Sequence, residues 1–183
     1  MAAGFSLASY PWTYRAKWNE QKTWIEEYKE GEHLSAAAEA ALPATEKAAL
    51  LGRRNAAGEL PLINYTTQYG LGCFEGLKAY PQADGSLKVF RPDQNGIRFE
   101  NSMKGLLMPG FPAADFVRAS VEVVRRNASI GFRPAWKEEW RADNFISAEA
   151  IYLRPFTLAE GGLGLNQCYF PWVIIAATPV GSY

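Results

Sequence analysis

The chain has 183 residues, 48% of them hydrophobic and 21% charged, which suits one folded domain with a real core and speaks against two independent ones. Its 19 basic and 19 acidic residues cancel. There is no basic concentration of the kind nucleic acid requires and no apolar run of membrane-spanning length. Two cysteines and one histidine leave no zinc or redox spacing and little for a Ser–His or Cys–His nucleophile, so Cys73 and Cys168 read as free thiols in a reducing cytoplasm and His33 as an exposed loop residue.

Residues 1–14 have no clear period and read as an arm. Trp18, Trp24, Ile25 and Tyr28 are spaced partly at three and four, which predicts a short helix within residues 17–28, ended by Gly31. Residues 34–51, rich in Ala and Glu, predict two short helices separated at Pro43, with Thr45 capping the second. This acidic-aliphatic stretch reads as a peripheral addition or lid. Residues 53–58 read as a turn, with Arg53 and Arg54 on a solvated face.

Residues 69–80 (Tyr69-Gly-Leu-Gly-Cys-Phe-Glu-Gly-Leu-Lys-Ala-Tyr80) hold three glycines and three aromatics. They read as a glycine-rich turn feeding a hairpin whose own turn is Ala83-Asp84-Gly85-Ser86. Gly70, Gly72 and Gly76 loosely fit a dinucleotide fingerprint, but a strand pattern follows where that motif needs a helix. A kinase glycine loop is excluded by the lack of His-Arg-Asp and Asp-Phe-Gly triplets. On glycine spacing alone the segment is a tight hairpin entry. Glu75 and Lys78 do not face each other on a strand and read as surface or structural.

A helix is expected from Pro92-Asp93 to about Leu107, burying Ile97, Met103, Leu106 and Leu107. A second spans residues 114–127, with an apolar stripe at Phe116, Val117, Val121 and Val124. Residues 130–144 are loop-like and rich in Trp. Two strands follow, 148–158 and 169–178, the second apolar enough to be central. Strands and helices that are grouped, not alternating, predict an α+β fold: an antiparallel sheet with flanking helices.

The wording of residues 69–80 resembles the signature of branched-chain aminotransferases, of the fold-type IV group of pyridoxal-phosphate enzymes. Two further matches follow in order. Val89-Phe90-Arg91-Pro92 with Asn95, Arg98, Ser102 and Leu106-Leu107-Met108-Pro109 resembles the family's cofactor-phosphate helix. Ile151-Tyr152-Leu153-Arg154-Pro155, Gly162-Leu163-Gly164-Leu165 and Pro179-Val180-Gly181-Ser182-Tyr183 resemble its substrate strand, interdomain loop and linker. The resemblance covers roughly residues 60–183 and implies the small N-terminal domain of such an enzyme: an arm and peripheral helices over 1–60, the domain over 61–178 and the start of a linker over 179–183.

The resemblance also implies roles. Arg98 would contact the phosphate of pyridoxal 5'-phosphate. Phe74 and Gly76 would wall the substrate side-chain pocket, and Tyr152 with Arg154 would read the carboxylate of glutamate. Tyr69, Leu163 and Leu165 would serve the pocket of the other subunit of a homodimer. Taken singly, each aromatic or leucine among these reads as core packing. The implied reaction is transamination of Leu, Ile or Val with 2-oxoglutarate, in the cytoplasm, with no metal. The family's Schiff-base lysine and ring-nitrogen glutamate lie in a larger C-terminal domain, and no lysine here matches, Lys78 and Lys104 included. The 183 residues alone are therefore expected to be inactive. Alternatives are a D-amino-acid aminotransferase or aminodeoxychorismate lyase of the same fold, or a non-enzymatic binding or dimerising domain.

Overall fold

The computed structural model describes residues 9–56, 61–164 and 166–181. Its centre is a six-stranded antiparallel sheet, ordered β2-β1-β6-β5-β3-β4. The strands are β1 (Trp12–Trp18), β2 (Trp24–Glu30), β3 (Leu77–Pro81), β4 (Leu87–Val89), β5 (Ala150–Ala159) and β6 (Pro171–Val180). The helices are α1 (Ala36–Ala41), α2 (Ala44–Asn55), α3 (Tyr65–Tyr69), α4 (Pro92–Gly105) and α5 (Ala113–Ser129), with a 3-10 turn at Glu138–Asp143. This is the α+β class the patterning predicts, with β6 central as expected and β5 beside it.

The expected helix within residues 17–28 is instead a hairpin. β1 and β2 pair from Trp12↔Glu30 to Trp18↔Trp24, and the two indoles meet edge to face at 5.2 Å. Asn19 closes the turn by accepting from the Thr23 amide at 3.0 Å. The reason lies far along the chain. β1 pairs with β6, Tyr14 opposite Ile175 and Ala16 opposite Val173, and that long-range pairing outweighs a weak local period. The hairpin also takes in the end of the supposed arm, residues 12–14.

α1 and α2 do separate at Pro43, but Thr45 caps nothing. Pro43 itself stands at the N-cap of α2, and Ser35 caps α1 by accepting from the Ala38 amide at 3.2 Å. A proline is tolerated there because that amide would have no helical partner. Arg53 is exposed, as expected of a solvated face. Arg54 is not: its side chain is 2% exposed and paired with buried Glu39.

α4 and α5 cover one face of the sheet. Phe99, Met103 and Phe116 are fully buried between them, and the Phe99 and Phe116 rings lie 5.4 Å apart. Ile97 and Leu107, expected inside, are 46% and 68% exposed, as is Val121 at 46%. α4 is rotated so that Gly96 meets the backbone of α5, where an added Cβ would lie 3.0 Å from the Ala113 carbonyl. That close approach places Asn95, Phe99 and Met103 inward. On α5, Asn127 is fully buried and ties the helix to β1, accepting from the Trp12 amide and donating to its carbonyl, both at 2.9 Å.

The central strands alternate in burial. Ile151, Leu153, Val173 and Ile175 are fully buried toward the helices. Tyr152, Arg154, Phe156, Trp172, Ile174 and Ala176 are half-buried on the opposite face. A period of two therefore puts Tyr152 and Arg154 together on the face the helices leave uncovered.

Candidate functional site

The signature segment enters the sheet along β5. α3 ends at Gly70, whose φ of 68° supplies a left-handed cap. Residues 73–75 then run beside β5. Thr157 donates its amide to the Cys73 carbonyl at 3.0 Å, Glu75 donates to Pro155 at 2.9 Å, and Phe74 bridges Phe156. Alternation sorts the side chains. Phe74, Gly76 and Lys78 share the face of Tyr152 and Arg154, whereas Glu75 points toward α4.

On the uncovered face, the Arg154 guanidinium lies 4.4 Å from the Phe74 ring centroid and 5.2 Å from that of Tyr152. Its Nε donates to the Tyr152 hydroxyl at 3.0 Å. An arginine stacked on one aromatic and hydrogen-bonded to another is held in one orientation while the rest of its N–H fork remains to meet a carboxylate. A Cβ on Gly76 would fall 3.2 Å from two ring carbons of Tyr152, so Phe74, Gly76, Tyr152 and Arg154 form one contiguous group.

Arg98 lies on the α4 side of the same edge. Glu75 accepts from its Nε at 2.9 Å and from its Nη2 at 2.8 Å. Asn95 adds a bond to the same carboxylate at 2.8 Å and one to the Gly76 carbonyl at 3.3 Å. The Glu75 side chain is 11% exposed and that of Arg98 60%. The paired carboxylate pushes the guanidinium pKa up. Gly76, Lys78, Asn95, Arg98 and Tyr152 line one open cavity of about 690 Å³. Arg98 on α4 and Tyr152 on β5 therefore border the same space.

Tyr69 and Leu163 stand apart from this group. The Tyr69 hydroxyl accepts from the Gly164 amide at 3.0 Å, and the two side chains are 46% and 80% exposed. The structure thus joins Tyr69 to the loop before β6. Leu165 lies outside the described residues.

Glu75, read from sequence as surface or structural, is the residue that holds Arg98. Strand parity signals this, since a residue between Phe74 and Gly76 must face the other way, toward the helices. Burial raises the Cys73 thiol pKa, and the nearby Glu75 charge adds to the effect, which disfavours a nucleophilic thiolate. Among the described residues no group of His, Cys, Asp or Glu is placed to hold a metal ion, and no helix is long and apolar enough to cross a membrane.

No protein-family model matches the chain. Over 116 residues it is 38% identical to the probable branched-chain-amino-acid aminotransferase of Streptomyces coelicolor, a match covering 63% of this chain and 29% of the relative. It is also 38% identical to the branched-chain-amino-acid aminotransferase of Haemophilus influenzae, over 63% of this chain and 31% of that one. The chain thus spans about a third of the length of the curated relatives it matches.

Among solved structures, it superimposes on the branched-chain amino acid aminotransferase of Escherichia coli with a TM-score of 0.54 and 25% identity, covering 69% of this chain and 36% of that one. The enzyme of the archaeon Thermoproteus uzoniensis, solved with norvaline, gives 0.55 at 20% identity over 94% and 41% of the two chains. The PLP form of the Thermobaculum terrenum enzyme gives 0.52 at 17% over 92% and 40%. The last two likenesses show the fold alone. The homologues of this chain, over 63% of its length, are branched-chain-amino-acid aminotransferases, and its fold is that of the fold-type IV aminotransferase structures.

Proposed function

We propose that this chain is the substrate-reading part of a pyridoxal-phosphate-dependent aminotransferase that exchanges amino groups between branched-chain amino acids and 2-oxoglutarate. The observation that carries the reading is Arg154, held on the uncovered sheet face between the Phe74 ring and the Tyr152 hydroxyl. Such an enzyme must accept an aliphatic side chain and the carboxylate of glutamate in one place. An apolar wall alone would strongly disfavour the carboxylate. An arginine that is already stacked and hydrogen-bonded pairs with the acid when it arrives and is still satisfied when leucine occupies the site. Phe74 contributes the apolar bulk of the wall.

The residues present fit pyridoxal phosphate in part. Arg98 brings a fixed cation to the cavity rim, and its pairing with Glu75 uses Nε and Nη2, so the Nη1 edge is left to meet the phosphate. The cofactor, when bound, supplies the electron sink for the amino-group exchange. In this reading the small domain takes in β1 and β2, which belong to the same sheet, and runs to the end of β6 at Val180, past the expected linker start at 179, with a further domain carrying the catalytic lysine. Exposed Tyr69 and Leu163, with Leu165, border the pocket of the second subunit of a homodimer. A cytoplasmic setting agrees with the two free thiols.

The test is asymmetric. In the complete aminotransferase, Arg154→Met should slow the glutamate half-reaction roughly 10- to 100-fold, the loss of one hydrogen-bonded charge contact. The leucine half-reaction should change only a few-fold. Single-turnover rates measured separately for the two substrates decide the matter, and equal losses would make Arg154 a structural residue.

A further inference from the structure

Gly76 is a glycine for a reason that its backbone does not supply. The glycines of the described residues with positive φ are Gly70, Gly85, Gly131 and Gly164. Gly76 is not among them, so an L-residue could adopt its conformation and the requirement there is for space. The space is filled from within the protein. An added Cβ would overlap the Tyr152 hydroxyl and lie 3.2 Å from ring atoms Cε2 and Cζ. The same hydroxyl accepts from Arg154 Nε at 3.0 Å.

We propose that Gly76 is a positioning residue: its missing side chain is the berth of the Tyr152 hydroxyl, and through it Gly76 sets the orientation of the Arg154 guanidinium. The consequence for catalysis rests on the reading of Arg154 given above; the steric claim does not. A methyl at position 76 forces the phenol to tilt. The ring is stiff, so its far end moves most and the bond to Nε lengthens. Arg154 keeps its stack on Phe74 and loses its second anchor. A glycine that merely widened a substrate pocket would act differently, because a methyl there would obstruct the bulkier substrate whatever residue stood at 152.

The first measurement uses the 183-residue chain and reads the exchange of the Arg154 Nε–H with solvent by ¹H–¹⁵N NMR. Tyr152→Phe should speed exchange roughly two- to tenfold, the loss of one net hydrogen bond. Gly76→Ala should speed it equally. The double variant should be no faster than either single one, since the same bond is lost once. Unchanged exchange in Gly76→Ala, or additive acceleration in the double variant, overturns the proposal. Should Gly76→Ala not fold, the double variant should fold, because the obstructing hydroxyl is gone; failure of both overturns the proposal as well.

The second measurement, in the complete aminotransferase, compares half-reactions. Gly76→Ala should slow glutamate as much as Tyr152→Phe does and leave leucine within a few-fold. A leucine loss that persists in the Tyr152→Phe background would mean that Gly76 is a pocket wall, which overturns the proposal. If exchange behaves as expected but glutamate and leucine slow equally, the positioning role stands and the assignment of Arg154 as the acid reader falls.

Discussion

Arg54 fastens α2 to the rest of the molecule, and its removal should be among the most damaging single changes in the chain. Its side chain is 2% exposed, that of Glu39 7%. Besides the ion pair, Arg54 donates to the Glu32 carbonyl at 2.9 Å and the Ser9 carbonyl at 2.5 Å, and its guanidinium lies 5.7 Å from the Phe132 ring centroid. Glu39 also accepts from the Leu34 amide at 3.1 Å. Arg54→Met keeps most of the apolar stem and strands a buried carboxylate along with two carbonyls. Breaking a buried pair in this way costs about 3–5 kcal/mol. For a chain of this length that is a fall in melting temperature of roughly 6–20 °C. The double variant Arg54→Met/Glu39→Leu removes both charges and should recover most of the loss, because a buried ion pair exchanged for apolar groups is often close to neutral. Urea unfolding followed by tryptophan fluorescence measures all three. A loss under about 1 kcal/mol in Arg54→Met, or a double variant no better than the single one, would refute the claim that pairing of a desolvated charge holds this corner together.

In the complete aminotransferase, Arg98→Ala should weaken cofactor retention by about 1.5 kcal/mol, the low end for a charge-assisted contact at an exposed side chain. The dissociation constant for pyridoxal phosphate is the check, and a shift in substrate ranking with unchanged cofactor affinity would contradict the role. Both thiols should be alkylated more slowly by iodoacetamide at pH 8 in the folded chain than in urea. Burial raises the pKa of Cys73 and Cys168 alike, so less of each is thiolate at a given pH and folded-state rates should climb as pH rises. Equal rates in the folded and unfolded chain would show that the raised pKa has been misjudged.

The elements legible in the sequence were those with local causes. The Asp84-Gly85 turn folds as its residues require, with Gly85 at a φ of 81° and its amide donating to Gln82 at 3.0 Å. The apolar run from Val173 to Ala177 belongs at the centre of a sheet and sits there. α4 and α5 begin and end close to their Pro and Gly signals. What was not legible depends on partners distant in the chain. β1 is a strand because β6 pairs with it, and Arg54 is buried because α1 and the turn at Glu32 close over it. Neither fact leaves a trace within a ten-residue window, where Trp spacing suggests a helix and paired arginines suggest a wet surface.

The candidate site shows how a short motif can carry two tasks. Phe74, Glu75 and Gly76 are consecutive, and a strand sends alternate side chains to opposite faces. Phe74 and the space at Gly76 therefore go to the uncovered face, where β5 presents Tyr152 and Arg154 at the matching period. Glu75 goes to the helix side, where α4 presents Asn95 and Arg98 three residues apart on one helical face. A slip of one residue in the pairing of this segment with β5 would exchange the faces, placing a carboxylate beside Arg154 and an aromatic ring against Arg98. The backbone bonds from Glu75 to Pro155 and from Thr157 to Cys73 prevent that slip, and the Thr157 hydroxyl reinforces them by accepting from the Cys73 amide at 2.9 Å. Register along this one edge thus determines which arginine meets Phe74 and Tyr152 on the uncovered face and which is paired with Glu75 at the rim of the cavity.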